Sequence, residues 1–212
     1  MPLNIKINDN LSINLHKNPH LLIYGLGHCR SKNSDELKDN LYYTEQDKRY
    51  SPEVLKEVMA VNTYWYKWAN VNNEIEERLN ERYELFNATN VNDIEEFNMQ
   101  YKQERMKYVV VFVTLPTSLK NVDSLQQILM KGRAAGIHII MLVDDLWRIQ
   151  KDETLLDMFT TKIVYRTKNA DESVLLTGES GAELLNNGAV MLSELGKKPV
   201  VYYNNIWLNS LN

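Results

Sequence analysis

The stretch from Lys131 to Ile140 constrains the fold more than any other, because within a few residues a helix has to end and a buried strand has to begin. Gly136 suits the left-handed residue that follows a helix. The run from Ile137 to Val143 is apolar except for His138, and it is too short for a helix, so it indicates an inner strand. The residues before it have the apolar spacing of a helix face: Leu125, Ile128 and Leu129.

Composition excludes several classes of protein. With 212 residues and a net charge of −4, the chain fits one α/β domain over residues 1–212, and a role in gripping nucleic-acid phosphates is disfavoured. A single cysteine, Cys29, argues against a disulfide framework and is best interpreted as an inert thiol. No apolar run approaches the roughly 20 residues that cross a bilayer, so any link to a membrane would come from a partner or a longer chain.

The order of the other patterns predicts the architecture. Residues 3–15 alternate between apolar and polar types, which predicts a β-hairpin, and the short apolar runs at residues 190–192 and 199–203 predict a second one. Leu21–Tyr24 and Tyr108–Val113 indicate buried strands, and residues 162–166 indicate an outer strand. The fold class is therefore α/β, a mostly parallel central sheet flanked by helices with terminal β-hairpins.

The segment between residues 26 and 86 is predicted to be mainly helical. Residues 34–41 could form a short helix, and Ser51-Pro52 is a strong helix start. From there to residue 86 the pattern predicts one long helix or two joined near residues 70–73, and we find no second strand between residues 31 and 60. An aromatic cluster falls in this helix: Tyr64, Trp65, Tyr66 and Trp68. Such stripes are more often core, although a partner-binding face at Tyr64, Trp65 and Trp68 is the functional alternative.

Three stretches, in the same order along the chain, resemble the FtsK/SpoIIIE family of ATPases, which includes DNA translocases and type VII secretion ATPases. One of them is KGRAAGIHII, at residues 131–140, the middle stretch of the three along the chain. Residues 76–98 resemble the family's RRYxLL…xVRNIEEYN region, and residues 162–188 resemble its RIAFRV…GAExLLGxGDML tail. The resemblance implies a RecA-like P-loop core.

The position of the family's phosphate-binding loop carries the wrong residues. PHLLIYG, at residues 19–25, resembles the strand that leads into Walker A, with Gly25 at the motif's first glycine and Gly27 as a further candidate nucleotide-binding residue of the loop. The motif then needs a glycine, a lysine and a hydroxyl residue, where this chain has Arg30, Ser31 and Lys32. The resemblance therefore implies a degenerate nucleotide site.

The catalytic positions of the family are also changed. Thr114 stands where the Walker B aspartate would hold the metal, and Leu115, in place of the glutamate, cannot act as a general base. The family's glutamine-bearing strand end is replaced by Asp144 and Asp145, which would repel a polyphosphate unless a cation lay between them. Metal binding by this acidic pair remains an alternative to solvated carboxylates.

Degenerate ATPase modules are a feature of the type VII proteins EssC and EccC. The leading hypothesis is therefore a non-hydrolysing, carboxyl-terminal ATPase-like domain with no catalytic residues, no metal site and no obligatory cofactor. The implied partners are WXG-type helical substrates or their carboxyl-terminal signals, and neighbouring ATPase domains of a parent chain anchored at the cytoplasmic face of the bacterial membrane.

Two alternatives remain open. An active ATP-driven DNA or conjugative translocase could use displaced residues, Lys32 on phosphate and Asp144 on Mg²⁺, and would bind ATP and Mg measurably. A pseudo-ATPase could instead complete a hexameric ring, in which Arg133 is a possible interface residue, although it is equally well a cation at a helix end.

Histidines provide one further candidate. His16, His20, His28 and Cys29 are near one another in sequence, but their spacing does not match a zinc site. His138 is expected to be a hydrogen-bonded core histidine.

Overall fold

The computed structural model describes residues 4–8, 10–25, 61–114, 122–146, 153–186 and 189–203. Nine strands are described: β1 Asn4–Asn8, β2 Leu11–Asn14, β3 Leu21–Tyr24, β4 Val61–Lys67, β5 Tyr108–Thr114, β6 Ile137–Val143, β7 Thr161–Val164, β8 Val190–Glu194 and β9 Val200–Tyr202. The described helices are α1 Trp68–Thr89, α2 Ile94–Gln100, α3 Val122–Ala135, α4 Glu153–Met158 and α5 Ala170–Thr177, with a 3-10 turn at Ala182–Leu184.

Seven strands form one sheet in the order β4-β5-β6-β3-β7-β8-β9. The pairs from β4 to β7 are parallel, whereas β7–β8 and β8–β9 are antiparallel. The hairpin β1–β2 is a separate two-stranded sheet. This arrangement confirms the prediction of a mostly parallel sheet flanked by helices with a hairpin at each end.

Two apolar cores lie on opposite faces of the large sheet, because successive residues of a strand point to opposite sides. On β3, Leu22 and Tyr24 belong to the core shared with the described helices, whereas Leu21 and Ile23 belong to the other. The hairpin covers that second face through its own buried side chains: Ile7, Leu11, Ile13 and Leu15.

The junction between α3 and β6 confirms the prediction made for it. Gly136 has a left-handed φ of 66° and follows Ala135, the last residue of α3. Its amide donates to the carbonyl of Arg133, and β6 begins at the next residue and is buried throughout. Asp93 likewise caps α2, where its carboxylate accepts the amide N–H of Glu96.

Two sequence predictions about strands were wrong. Residues 61–67, which the sequence pattern placed in the helix that starts at Ser51, form the strand β4, and α1 begins only at Trp68. The strand β7 is an inner strand, paired with β3 on one side and β8 on the other. The helix predicted at residues 34–41 and the start of the next one, residues 51–60, lie outside the described residues.

Candidate functional site

The carboxyl ends of the parallel strands bring three of the predicted nucleotide-site residues to one edge of the sheet. Thr114, the last residue of β5, is paired with Leu142 near the end of β6, and Asp144 follows β6 directly. Gly25 follows β3, whose last residue pairs with Val143. This carboxyl edge is where α/β sheets usually bind ligands.

Gly25 makes a tight turn at the end of β3. Its amide donates to the Val143 carbonyl at 2.8 Å, and its φ is +76°, which a side chain rarely adopts. A Cβ at this position would lie 3.1 Å from the carbonyl oxygen of Arg166. The turn therefore needs glycine for its own packing, whether or not a phosphate approaches it.

A network of polar side chains lies at the same edge. The hydroxyl of Tyr24 donates to Oε2 of Glu172 at 2.8 Å, and the backbone amide of Lys168 donates to the same oxygen at 2.9 Å. The ammonium group of Lys168 forms an ion pair with Asp145. Glu172 comes from the first turn of α5, so the network joins β3, the end of β6 and α5.

The electrostatic character of this network is acidic. Burial, the hydrogen bond to Glu172 and the charges of Asp145 and Asp144 all raise the pKa of Tyr24. The pKa of Lys168 is raised mainly by its hydrogen bond to Asp145. Three carboxylates thus face the end of β3, and the lysine described beside them is already paired.

These residues do not fit a magnesium–polyphosphate group. A phosphate site needs donors and positive charge, whereas the described groups at this edge are mostly acceptors with negative charge. Among the residues that the structure describes, no group of three or more His, Cys, Asp or Glu side chains could hold a metal ion.

The other predicted site residues stay predictions. Gly27, Arg30, Ser31 and Lys32 lie outside the described residues. For Tyr64, Trp65 and Trp68 the structure gives the backbone: the first two lie in the edge strand β4 and the third begins α1, so they do not form one helical stripe. Arg133 is exposed in the last turn of α3, where an interface role is untested.

Sequence reasoning missed a buried arginine in α1. Arg82 is 8% exposed, and its guanidinium donates to the carbonyls of Ala135 and Lys107, the latter at 2.7 Å. Arg82 therefore supplies hydrogen-bond donors for a free carbonyl at the carboxyl end of α3 and for the carbonyl of the residue before β5. The one sequence signal that could have identified Arg82 is its position within residues 76–98, the stretch that resembles the family.

The structure also brings together histidines that are far apart in sequence. His138 is 1% exposed and its Nδ1 lies 3.0 Å from the Pro19 carbonyl, which confirms the core histidine. Nδ1 of His20 accepts the Ile139 amide at 3.1 Å. The ring of Tyr108 stacks on His138 and meets His16 edge to face. His28 and Cys29 lie outside the described residues.

No family model matches the sequence. A curated relative, the DNA translocase FtsK of Caldanaerobacter subterraneus subsp. tengcongensis, is 27% identical over 214 residues. The match covers 88% of this chain but only 30% of the translocase, so the chain spans less than a third of that relative's length.

Solved structures share the fold at low sequence identity. The pCW3 conjugation coupling protein TcpA, solved as a monomer with ATPγS, has a TM-score of 0.69 at 15% identity, with 95% of this chain and 64% of TcpA covered. The cytoplasmic domain of the type VII secretion ATPase EccC of Thermomonospora curvata has a TM-score of 0.62 at 13% identity, covering 96% of this chain and 28% of EccC. ATPases 2 and 3 of the same EccC, in complex with a signal sequence peptide, match with a TM-score of 0.54 at 15% identity, covering 96% of this chain and 40% of theirs.

No described helix is long and apolar enough to cross a membrane. The sequence match and the sheet together support the resemblance stated above. The chain is therefore a homologue of FtsK-like DNA translocases, with the P-loop ATPase fold that conjugation coupling proteins and type VII secretion ATPases share.

Proposed function

We propose that this chain is a non-hydrolysing ATPase-like domain of a type VII secretion coupling protein, and that it binds secretion substrates or neighbouring ATPase domains. The observation that carries the proposal is the acidic carboxyl edge, where Asp144, Asp145 and Glu172 surround the end of β3. A domain that hydrolyses ATP would need phosphate-binding and base groups there.

The sequence at the positions that match the family's motifs supports this proposal. Thr114 is neutral and cannot supply the negative charge with which an aspartate would hold Mg²⁺. Leu115 has no polar group with which to orient a water molecule. Arg30 stands where a glycine would let backbone amides close on phosphate. These changes affect separate steps of the reaction, so restoring a single residue would not restore hydrolysis.

Substrate binding is the positive part of the proposal. An EccC structure that shares the fold contains a signal sequence peptide, and by analogy we expect this chain to bind a carboxyl-terminal signal of a WXG-type helical protein. We place the binding face at Tyr64, Trp65 and Trp68, where β4 passes into α1 at the edge of the sheet. Aromatic residues are enriched at such hot spots. The parent would be anchored at the cytoplasmic face of the cell membrane.

Peptide titration tests the binding role. Fluorescent carboxyl-terminal peptides of WXG-type proteins, added to the chain alone and to the chain joined to its neighbouring ATPase domain, should bind saturably. Trp68→Ala should weaken binding by about tenfold, as expected for a hot-spot side chain, whereas Glu84→Ala, an exposed change further along α1, should leave it unchanged. Absence of binding in both forms would overturn the proposal.

An active translocase is the second candidate, because the sequence relative is a DNA translocase and the coupling protein TcpA was solved with ATPγS. Calorimetry with Mg-ATP separates the two. Our proposal predicts no saturable heat at micromolar nucleotide, whereas micromolar binding that Lys32→Ala or Asp144→Asn abolishes would establish the translocase. Light scattering on the chain addresses the third candidate, a structural subunit of a hexameric ring.

A further inference from the structure

A cavity of about 290 Å³ lies at the amino ends of β5 and β6, opposite the carboxyl edge described above. We call it the amino-edge pocket. Its polar lining comes from the loop between β2 and β3, α2 and its cap, the end of α3 and the first residues of the two strands: His16, Asp93, Glu95, Tyr108, Arg133 and His138. Neither the family resemblance nor the proposed function uses it.

His138 presents an unused hydrogen-bond acceptor beside this pocket. Its Nδ1 lies 3.0 Å from the carbonyl oxygen of Pro19, and a carbonyl only accepts, so Nδ1 carries the proton. Nε2 is then an acceptor, and it is buried without any hydrogen-bond partner. An unsatisfied buried polar atom is costly, so a donor group that reaches Nε2 gains a hydrogen bond at a site already desolvated.

The histidine keeps this acceptor at neutral pH. Burial is the main cause that lowers the pKa of His138 from 6.5 to about 4, with smaller contributions from His16 and Arg82. The ring is therefore neutral at pH 7, and Nε2 retains its lone pair. An anionic ligand would meet this lone pair and would gain nothing from it.

The charged side chains around the pocket also favour a hydrogen-bond donor over an anion. Glu95 is exposed and lies 3.3 Å from Nδ1 of His16 through its Oε1. Asp93 uses Oδ1 to cap α2, which leaves its other oxygen as an acceptor. Arg133 is exposed, and the guanidinium of Arg82 is directed to backbone carbonyls.

An aromatic surface completes the pocket. The ring of Tyr108 stacks on His138 with 5.9 Å between centroids, and it meets His16 edge to face at 5.0 Å. The faces of such rings attract cations. The pocket thus combines a buried acceptor, a carboxylate at its mouth and an aromatic wall.

We propose that the amino-edge pocket binds a small hydrogen-bond-donating head group of the amine or guanidine class, which donates to Nε2 of His138 and is held electrostatically by Glu95. The side chain of a lysine or arginine from a bound protein has this chemistry, and so does a free amine. The site is independent of the aromatic face and of the nucleotide position.

Nitrogen NMR on the histidine-labelled chain tests this directly, with methylguanidinium chloride and ethylammonium chloride as probes. The His138 Nε2 resonance should begin as that of an unprotonated nitrogen without a hydrogen bond, and it should move saturably toward the hydrogen-bonded position. Glu95→Gln should weaken the affinity by about fivefold, the scale of one exposed charge pair. The matched change Glu84→Gln on α1 should have no effect.

Three results would overturn the inference. The first is a spectrum in which Nδ1 is the unprotonated nitrogen, so that Nε2 is a donor. The second is an Nε2 resonance that already reports a hydrogen bond in the free protein and is unmoved by both probes, which would mean that the pocket holds water only. The third is a shift with sodium acetate as large as that with the cations, which would mean that the response is not selective for donors. None of these results bears on peptide or nucleotide binding, so the proposed function would stand or fall separately.

Discussion

At the scale of single residues, Gly132 shows why the Lys131–Ile140 stretch has its composition. It lies inside α3, where glycine normally costs stability, yet a Cβ there would come within 2.6 Å of the Ile137 carbonyl and 3.2 Å of the His20 ring. Gly132 thus allows α3 to pack directly on β6.

Gly132→Ala should therefore destabilise the chain by about 1–2 kcal/mol, although the same change in an exposed helix would stabilise it by about 1 kcal/mol. Urea unfolding followed by circular dichroism measures the difference. Gln127→Ala, at an exposed position of the same helix, is the control and should change stability by less than about 0.5 kcal/mol. A more stable Gly132→Ala variant would refute the packing argument.

Arg82 is the second residue whose role depends on distant backbone. Arg82→Met keeps most of the side-chain length but leaves the carbonyls of Ala135 and Lys107 without their donor. We expect a loss of about 3 kcal/mol in the free energy of unfolding. Arg105→Met, an exposed change, should be nearly neutral, and equal effects of the two substitutions would show that the buried guanidinium is unimportant.

At the scale of secondary-structure elements, β4 is the instructive failure of sequence reasoning. Val61, Tyr64, Trp65 and Trp68 recur at the spacing of a helix face, and Ser51-Pro52 upstream is a strong helix start. Valine, tyrosine and tryptophan are also strand formers, however. The choice between helix and strand is decided by the pairing of the whole segment with β5, and short-range periodicity carries no information about that pairing.

Hydrogen exchange distinguishes an edge strand from a helix at residues 61–67. In a parallel edge strand, alternate amides bond to the single neighbour, so protection should alternate along residues 61–67 and become continuous within α1. The central strand β6 should be protected throughout and serves as the internal control. Continuous protection from residue 61 into α1 would favour the helix that the sequence pattern first indicated.

At the scale of the whole molecule, the two buried histidines make folding depend on pH. Burial is the main cause that lowers the pKa of His20 from 6.5 to about 3 and that of His138 to about 4. In the unfolded chain both take up protons as the pH falls below 6.5, whereas in the folded chain they stay neutral. Their contribution is therefore complete above pH 6.5 and is lost as the pH falls toward 4.

From pH 7.5 to pH 5 these two groups alone should lower the free energy of unfolding by about 4 kcal/mol. Urea titrations at the two pH values measure this. His138→Asn keeps a donor for the Pro19 carbonyl and should remove about half of the dependence on pH. An unchanged pH dependence in His138→Asn would show that His138 is not the buried neutral group described here.

The sequence alone determined the class of the fold, both hairpins, most strands, the end of α3 at Gly136 and the likeness to FtsK-type ATPases, because periodicity, glycine placement and local motifs carry that information within short windows. It also shows Arg30, Ser31, Lys32 and Thr114 at the positions where the family resemblance places the nucleotide-binding residues. Only the tertiary structure decided that β4 is a strand, that β7 is an inner one, and that Arg82, Glu172 and the three histidines meet partners far along the chain. Those features depend on which segments become neighbours when the sheet forms, and no local pattern records that choice.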